Sequence, residues 1–437
     1  MLNEIKLEKC GEKLKAVILA GGFGKRLECI NQNTTPKPMT LICGKPVLEH
    51  QIEALKKEGI NEFILVIGYL SDKIEEYFGD GSSFGVSITY FRETKPLGTA
   101  GALFRLKLTE DFLLCNGDLI FDFSVRKMVS FHHGSNALAT LFTHPNNHPY
   151  DSTLVCTDEK DRVRGFITGN EKLKSYQNLC NAGIQIISPD LLKLCPITGA
   201  ANLDRDIIMP CVKTGRIYSY KSAEYVRDMG TPERLETVEA DLKKGNVKAR
   251  HSDRMQKAVF LDRDGTINKF KGYITNPDEI ELIDGAAEAI SEFSRMGYLV
   301  IVITNQPVIA RGECSKQALK EIHNRLETLL GEKGAYVDEI YYCPHHPDKG
   351  FEGEIEELKI QCNCRKPSPG LLLRAQKDFN IDMSESFMVG DSLCDAQSGE
   401  NAGCIPVLLT SEPKEATSSK YLSFGTLYEF SEFLSKK

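Results

Sequence analysis

Short uninterrupted apolar runs alternate along this chain with stretches in which apolar residues recur every three or four positions. The run in KAVILAGGFG, Lys15 to Gly24, breaks into glycines, and KAVFLDRDGT, Lys257 to Thr266, does the same. Each pattern predicts the first buried strand of its own α/β domain. After the first run Leu48, Ile52 and Leu55 fall at helical spacing, Gly59 is a stop, and FILVI at Phe63 to Ile67 returns to strand. In the second half the pattern predicts a helix over about Ala286 to Met296, a stop at Gly297, the strand YLVIVIT, a helix around Lys316 to Leu330 and the strand EIYYC. Such alternation predicts right-handed βαβ units and mostly parallel sheets, hence an α/β fold of two Rossmann-like domains. Between them DLKKGNVKARHSDRMQK, Asp241 to Lys257, is nearly free of large apolar residues. The expected division is a domain over 1–245, a linker over 246–256 and a domain over 257–437.

At 437 residues, 41% of them hydrophobic, each domain can bury a core without staples. The 14 cysteines run from Cys10 to Cys404 mostly as singletons, which argues against a disulfide scaffold. The opening MLNEIKLEKCGEKLK alternates charges, and the longest apolar runs are strand-length. These features lead us to expect a soluble, reduced, cytoplasmic chain. The formal net charge of −7 argues against nucleic acid or an anionic membrane as partner. Phosphorylated small molecules remain, because they need only a local cationic pocket. A homo-oligomer is left open.

In the first half Gly21, Gly22 and Gly24, followed by Lys25-Arg26, form a glycine-rich turn directly after a strand. Backbone N–H groups can approach an anion there, and Arg26 can add charge. TTPKPM holds Lys37 between two prolines, a stiff mount for a cation beside a transferring phosphate, although a lone Lys is more often solvated surface. PLGTAGAL places Gly98, Thr99 and Gly101 at an expected helix start where a flat base can lie against backbone. FLLCNGDL is read as a strand ending in Asp118, and YVRDMGTPERL carries Asp228, which can join Asp118 around one Mg²⁺. AGGFGKRL, TPKPM, PLGTAGAL, NGDL, NAGIQI and RDMGTPE, in this order, resemble the sugar-1-phosphate nucleotidyltransferases. The resemblance implies attack of a sugar 1-phosphate on the α-phosphorus of a nucleoside triphosphate, with pyrophosphate leaving. It implies Arg26 and Lys37 on the phosphates, Asp118 and Asp228 on Mg²⁺, and Asn181 and Gly183 beside the sugar. PLGTAGAL is similar to guanylyl- and mannose-type members, which points to GTP. Family members often carry a Glu-Lys pair after a strand Phe, whereas here Phe166 is followed by ITGNEKLK, leaving Lys172 or Lys174 as stand-in.

In the second half FLDRDGTIN ends a strand with Asp262 and Asp264, and Thr304, Lys366 in CRKP and Asp391 in MVGDSLCD follow in order. Together these elements resemble the haloacid-dehalogenase superfamily. The resemblance implies that Asp262 attacks phosphorus, that Asp264 serves as acid and then base, and that Thr304 and Lys366 bind phosphoryl oxygens. It also implies Mg²⁺ on Asp262, Asp264 (through its backbone carbonyl) and Asp391. YYCPHHP and CNCRKP supply Cys343, His345, Cys362 and Cys364, a Cys₃His set suited to a closed structural Zn²⁺. His346 competes with His345 for the fourth place, and the resemblance favours His345. With GYITNPDEIELIDGAAEAI and TNQPVIARG, this loop is similar to the heptose 1,7-bisphosphate phosphatases. That likeness implies C7 dephosphorylation, with Thr304, Asn305, Gln306, Arg365, Gly272 and Tyr273 at the substrate. Pro307-Val308 stands where a Ser-Gly pair is common, and FEGEIEELK lengthens the zinc loop. A heptose 1-phosphate made by the second half is an acceptor for the first. The expectation is therefore a bifunctional enzyme acting on heptose phosphates and a nucleoside triphosphate. The alternative is a histidinol-phosphate-type phosphatase fused to a nucleotidyltransferase-like module that only binds.

Overall fold

The computed structural model describes residues 14–22, 35–168, 174–411 and 421–436. Among them two compact units separate. One takes Met1–Thr143, Val155–Phe166 and Asn181–His251, the other His144–Leu154, Ile167–Cys180 and Ser252–Lys437. The stretch expected as a linker begins with a helical turn, Asn246–Ala249. Val247 of that turn is buried with Tyr225, Met229 and Val238. Two segments from inside the expected first domain belong to the second unit, the later of them through pairings far apart in sequence. The Tyr176 amide donates to Thr328 Oγ1 at 2.9 Å, Arg325 donates to the Lys174 carbonyl at 2.9 Å, and Lys174 pairs with Asp278 at 2.5 Å.

The first unit is built on a nine-stranded sheet whose centre is Lys15–Leu19, flanked in parallel by Phe112–Asn116 and Glu62–Ile67, with Ser87–Arg92 parallel beyond. Cys180–Ile187 joins Phe112–Asn116 antiparallel, so the sheet is mixed. Alternation along the central strand divides the core. Ala16 and Ile18 pack with Leu48, Ile52 and Leu55 of the helix Val47–Lys57, while Val17 packs on the other face with Leu114 and Leu141.

The second unit carries six strands in the order Glu339–Cys343, Leu299–Asn305, Ala258–Leu261, Phe387–Gly390, Ile405–Leu409 and Leu422–Phe424. Every neighbouring pair is parallel. A parallel sheet covered on both faces needs apolar residues at every position, which is why Leu299–Ile303 reads as an unbroken buried run. The helix Ala286–Arg295 supplies Ala286, Ala289, Ile290 and Phe293 to that core. Because the strands run the same way, Asp262, Thr304, Cys343 and Asp391 all fall at one edge of the sheet, where α/β folds bind ligands. No helix among the described residues is long and apolar enough to cross a membrane.

Candidate active sites and metal centre

Asp262 directly follows the buried strand Ala258–Leu261 and is itself buried. Lys366, also buried, places Nζ 2.5 Å from Asp262 Oδ1, 2.7 Å from Asp395 Oδ1 and 2.7 Å from the Ile303 carbonyl. Carboxylate oxygens of Asp262, Asp391 and Asp395 all lie within 4.8 Å of one another. Burial pushes Asp262 up to about 7 against the pull of Lys366, and the Asp395 charge adds to the rise. Burial would lower Lys366, but Asp262 and Asp395 outweigh it and raise its pKa. Three carboxylates facing one ammonium leave a formal surplus of two negative charges, the charge of one divalent cation.

Asp395 is absent from the sequence-based set. It stands four residues after Asp391, where it reads as a capping box for the helix Leu393–Ala402, and it does accept from Ser392 Oγ at 2.6 Å. Its other oxygen orients Lys366. Asp264 was expected to touch the cation only through its carbonyl, and its carboxylate indeed points elsewhere. It accepts from Arg263 Nη2 at 2.7 Å, Asn268 Nδ2 at 2.9 Å and Gln306 Nε2 at 2.9 Å. Its backbone passes beside the cluster, since a Cβ on Gly265 would meet Asp391 Oδ2 at 1.9 Å. Arg263 is fully buried and its Nη1 has no partner among the described residues. Gln306 Nε2 also reaches Thr304 Oγ1 at 2.9 Å. Asn305 brackets the Lys366 peptide, accepting its N–H at 3.0 Å and donating to its carbonyl at 3.2 Å. Arg365 Nη1 reaches the His345 carbonyl at 3.5 Å, and Gly272 and Tyr273 lie on the loop after the Asp262 strand.

The Cys₃His set comes together. Cys364 Sγ lies 3.2 Å from Cys362 Sγ, 3.3 Å from Cys343 Sγ and 3.2 Å from His345 Nδ1, and Cys343 Sγ lies 3.6 Å from Cys362 Sγ. Donors held about 2.0–2.3 Å from one ion in a tetrahedron stand at about this spacing from each other. His346 is turned away, its Nδ1 accepting from the Asp348 amide at 3.2 Å.

In the first unit the strand Phe112–Asn116 ends before Asp118, which sits in the turn to Leu119–Asp122. Buried Gln51 clamps that turn by donating to the Asn116 and Leu119 carbonyls at 2.9 and 2.8 Å. Lys37 forms an ion pair with Asp118. Asp228 pairs with Leu119 across the Leu119–Asp122 and Tyr225–Asp228 ladder, which brings the two carboxylate-bearing turns side by side. The Asp228 carboxylate is held by Arg234 Nη1 at 2.9 Å and the Gly230 amide at 2.7 Å. Asn181 donates to Asp204 at 3.1 Å and accepts from Gln185 at 3.2 Å. Gly183 lies against Asn116, whose Nδ2 a Cβ would meet at 2.3 Å.

No helix starts at PLGTAGAL. Gly98 has φ +73°, outside the right-handed helical region, and the Leu97 carbonyl is shared between the Gly101 and Ala201 amides. The space beside Gly98 and Gly101 is filled by carbonyls of Ala201 and Gly199, and Thr99 Oγ1 accepts from the Leu203 amide at 2.8 Å. Gly21 faces Glu93, and Gly22 has open space beside it among the described residues. Gly24, Arg26 and Lys172 lie outside the described residues. Lys174, the other stand-in, is engaged by Asp278 of the second unit.

A model of the nucleotidyl transferase family matches residues 15–245, and one of the haloacid dehalogenase-like hydrolases matches residues 213–403. The D-glycero-beta-D-manno-heptose-1,7-bisphosphate 7-phosphatase of Photorhabdus laumondii is 47% identical over 140 residues, 32% of this chain and 72% of the relative. That of Salmonella typhi is 43% identical over 161 residues, 36% of this chain and 84% of the relative. A crystal structure of HddC from Yersinia pseudotuberculosis complexed with GMP-PN aligns at 25% identity over 52% of this chain and 99% of that one, with a TM-score of 0.45. The chain therefore belongs to the nucleotidyl transferase family through its first half and to the haloacid dehalogenase-like hydrolases through its second.

Proposed function

We propose that the second half removes the C7 phosphate of D-glycero-D-manno-heptose 1,7-bisphosphate and that the first half transfers a nucleotidyl group, guanylyl by the character of PLGTAGAL, to the heptose 1-phosphate so formed. The observation that carries the phosphatase reading is the buried Asp262–Lys366–Asp395 constellation at the carboxyl edge of a parallel sheet. Asp262 Oδ attacks phosphorus and the sugar oxygen leaves with a proton from Asp264, giving an aspartyl-phosphate. Asp264 then takes the proton of the water that hydrolyses it. Arg263, Asn268 and Gln306 hold the Asp264 carboxylate for both transfers. Lys366 and Thr304 meet the phosphoryl oxygens.

The surplus charge of Asp262, Asp391 and Asp395 fits Mg²⁺, which supplies neutralisation of carboxylate against phosphate when bound. Asp395 thus joins the expected ligands as a third carboxylate or as the orienter of Lys366. Cys343, His345, Cys362 and Cys364 fit Zn²⁺ in donor type and spacing, and burial pushes the Cys343 thiol up, so that a bound cation would favour it as a thiolate. That clip stands next to Arg365 and Lys366 in sequence and fixes both at the phosphate site. In the first half Lys37 and Arg26 neutralise the phosphates while the sugar phosphate oxygen attacks the α-phosphorus, with Asp118 and Asp228 holding the cation.

Phosphate release from the bisphosphate by the full chain, lost in Asp262→Asn, tests the first activity. Retention in that variant overturns it. One observation favours a second reading, in which the first half binds ligand without turnover: Lys174, the described stand-in for the sugar-phosphate cation, is spent on Asp278. Pyrophosphate release from GTP and heptose 1-phosphate decides between the two.

A further inference from the structure

We propose that Arg311 receives the second anionic group of the substrate, the phosphate that is not hydrolysed when a sugar bisphosphate is bound. This rests on the phosphatase reading above and adds to it a residue and the ligand class that the residue selects.

The strands Ala258–Leu261, Leu299–Asn305 and Glu339–Cys343 are parallel neighbours, so the loops leaving their carboxyl ends emerge at the edge that carries Asp262 and Lys366. The first loop carries Tyr273, the second Arg311, the third Phe351 and Lys359. They meet at one side chain. The guanidinium carbon of Arg311 lies 4.2 Å from the ring centroid of Tyr273 and 4.2 Å from that of Phe351. A guanidinium in contact with two rings is restrained in its orientation, which favours its use as a fork for phosphate.

Its Nε is not satisfied among the described residues. Arg311 Nε is buried without a hydrogen-bond partner, and Glu313 Oε1 stands 3.9 Å from Nη1, beyond hydrogen-bond length. A buried unpaired donor on a charged group calls for an explanation, and a ligand atom is one. The surroundings are cationic as well. Lys359 Nζ sits 4.4 Å from the same Phe351 ring, with Glu354 3.3 Å away, and Arg365 reaches only a carbonyl. Phosphate favours nearby cations, and its charge-assisted bonds to Arg are strong and directional. The lengthened zinc loop has a purpose on this account: it brings Phe351 over Arg311.

The test compares heptose 1,7-bisphosphate with heptose 7-phosphate as substrates of the full chain loaded with Mg²⁺ and Zn²⁺. Wild type is expected to favour the bisphosphate through a lower KM. In Arg311→Met the ratio of kcat/KM for bisphosphate over monophosphate is expected to fall about 10- to 100-fold, through KM rather than kcat. Arg311→Lys, which keeps the charge and loses the fork, is expected to fall between. Turnover of the monophosphate by each variant reports that it is folded. Equal KM values for the two substrates in wild type, or an unchanged ratio in Arg311→Met, overturn the subsite alone. A wild type that hydrolyses neither sugar phosphate overturns the phosphatase reading, and the subsite with it.

Discussion

Two sets of carboxylates sit at sheet edges in this chain, and they are finished differently. In the second unit Asp262 and Asp395 are buried and share one ammonium, with Asp391 beside them, so negative charge is in excess. In the first unit Asp118 and Asp228 are partly exposed and each has its own cation, Lys37 and Arg234. The first arrangement is costly until a divalent cation or substrate arrives, because buried charge without compensation is penalised. The second is neutral at rest, so ligand must displace or recruit Lys37 and Arg234. A site with surplus charge advertises its cation in the apo geometry, whereas a self-neutralised site conceals it.

The largest expected effect is at the Cys₃His cluster proposed to hold zinc. Cys364→Ser removes one of four donors and should take zinc from one equivalent per chain to none by metal analysis. Most of the roughly 10–16 kcal/mol that a structural zinc contributes in small peptides is then lost, and phosphatase activity falls while pyrophosphate release persists. Next, Lys366→Met leaves two buried carboxylates without their ammonium. Denaturant unfolding without Mg²⁺ should show a loss of about 3–5 kcal/mol, partly recovered on adding Mg²⁺. Asp395→Asn should raise the Mg²⁺ concentration for half-maximal phosphate release by about 10- to 100-fold.

A pH effect follows from Asp262. Its pKa is raised to about 7, so below that pH the cation-free protein holds a proton on Asp262. The proton competes with Mg²⁺, and the Mg²⁺ requirement of the phosphatase should climb as pH falls through about 7. In Asp262→Asn the pH dependence of Mg²⁺ binding should flatten. The smallest stability effect belongs to the other half. Lys37→Met breaks a partly exposed pair and should cost under about 1 kcal/mol, although pyrophosphate release falls steeply. A loss as large as that of Lys366→Met would erase the distinction between the two sites.

Much of the second unit was legible because a covered parallel sheet writes itself as unbroken apolar runs, as at Leu299–Ile303. Asp262, Thr304 and Cys343 then follow from where those runs stop. The first unit was less so. Asp118 lies in a turn rather than on the strand because Gln51, far away in sequence, holds that turn. PLGTAGAL reads as a helix start, yet Gly98 and Gly101 serve the close approach of residues 199–201, a contact no local pattern reveals. The segments His144–Leu154 and Ile167–Cys180 belong to the second unit, and the latter pairs with Thr328 and Glu327, again distant in sequence. Asp395 was in plain view, but as a capping residue it had an innocent explanation. Arg263 stands between two aspartates, and only its hydrogen bonds from a buried position show that it holds the second of them.

The central claim is that one chain carries two activities in series. It is tested by giving the Mg²⁺-loaded full chain heptose 1,7-bisphosphate and GTP and following phosphate and pyrophosphate together. The account expects phosphate first and pyrophosphate after it. In Asp262→Asn neither should form from the bisphosphate, and heptose 1-phosphate should restore pyrophosphate alone. Pyrophosphate formed from the bisphosphate by Asp262→Asn, or none formed from heptose 1-phosphate by the wild type, would contradict it.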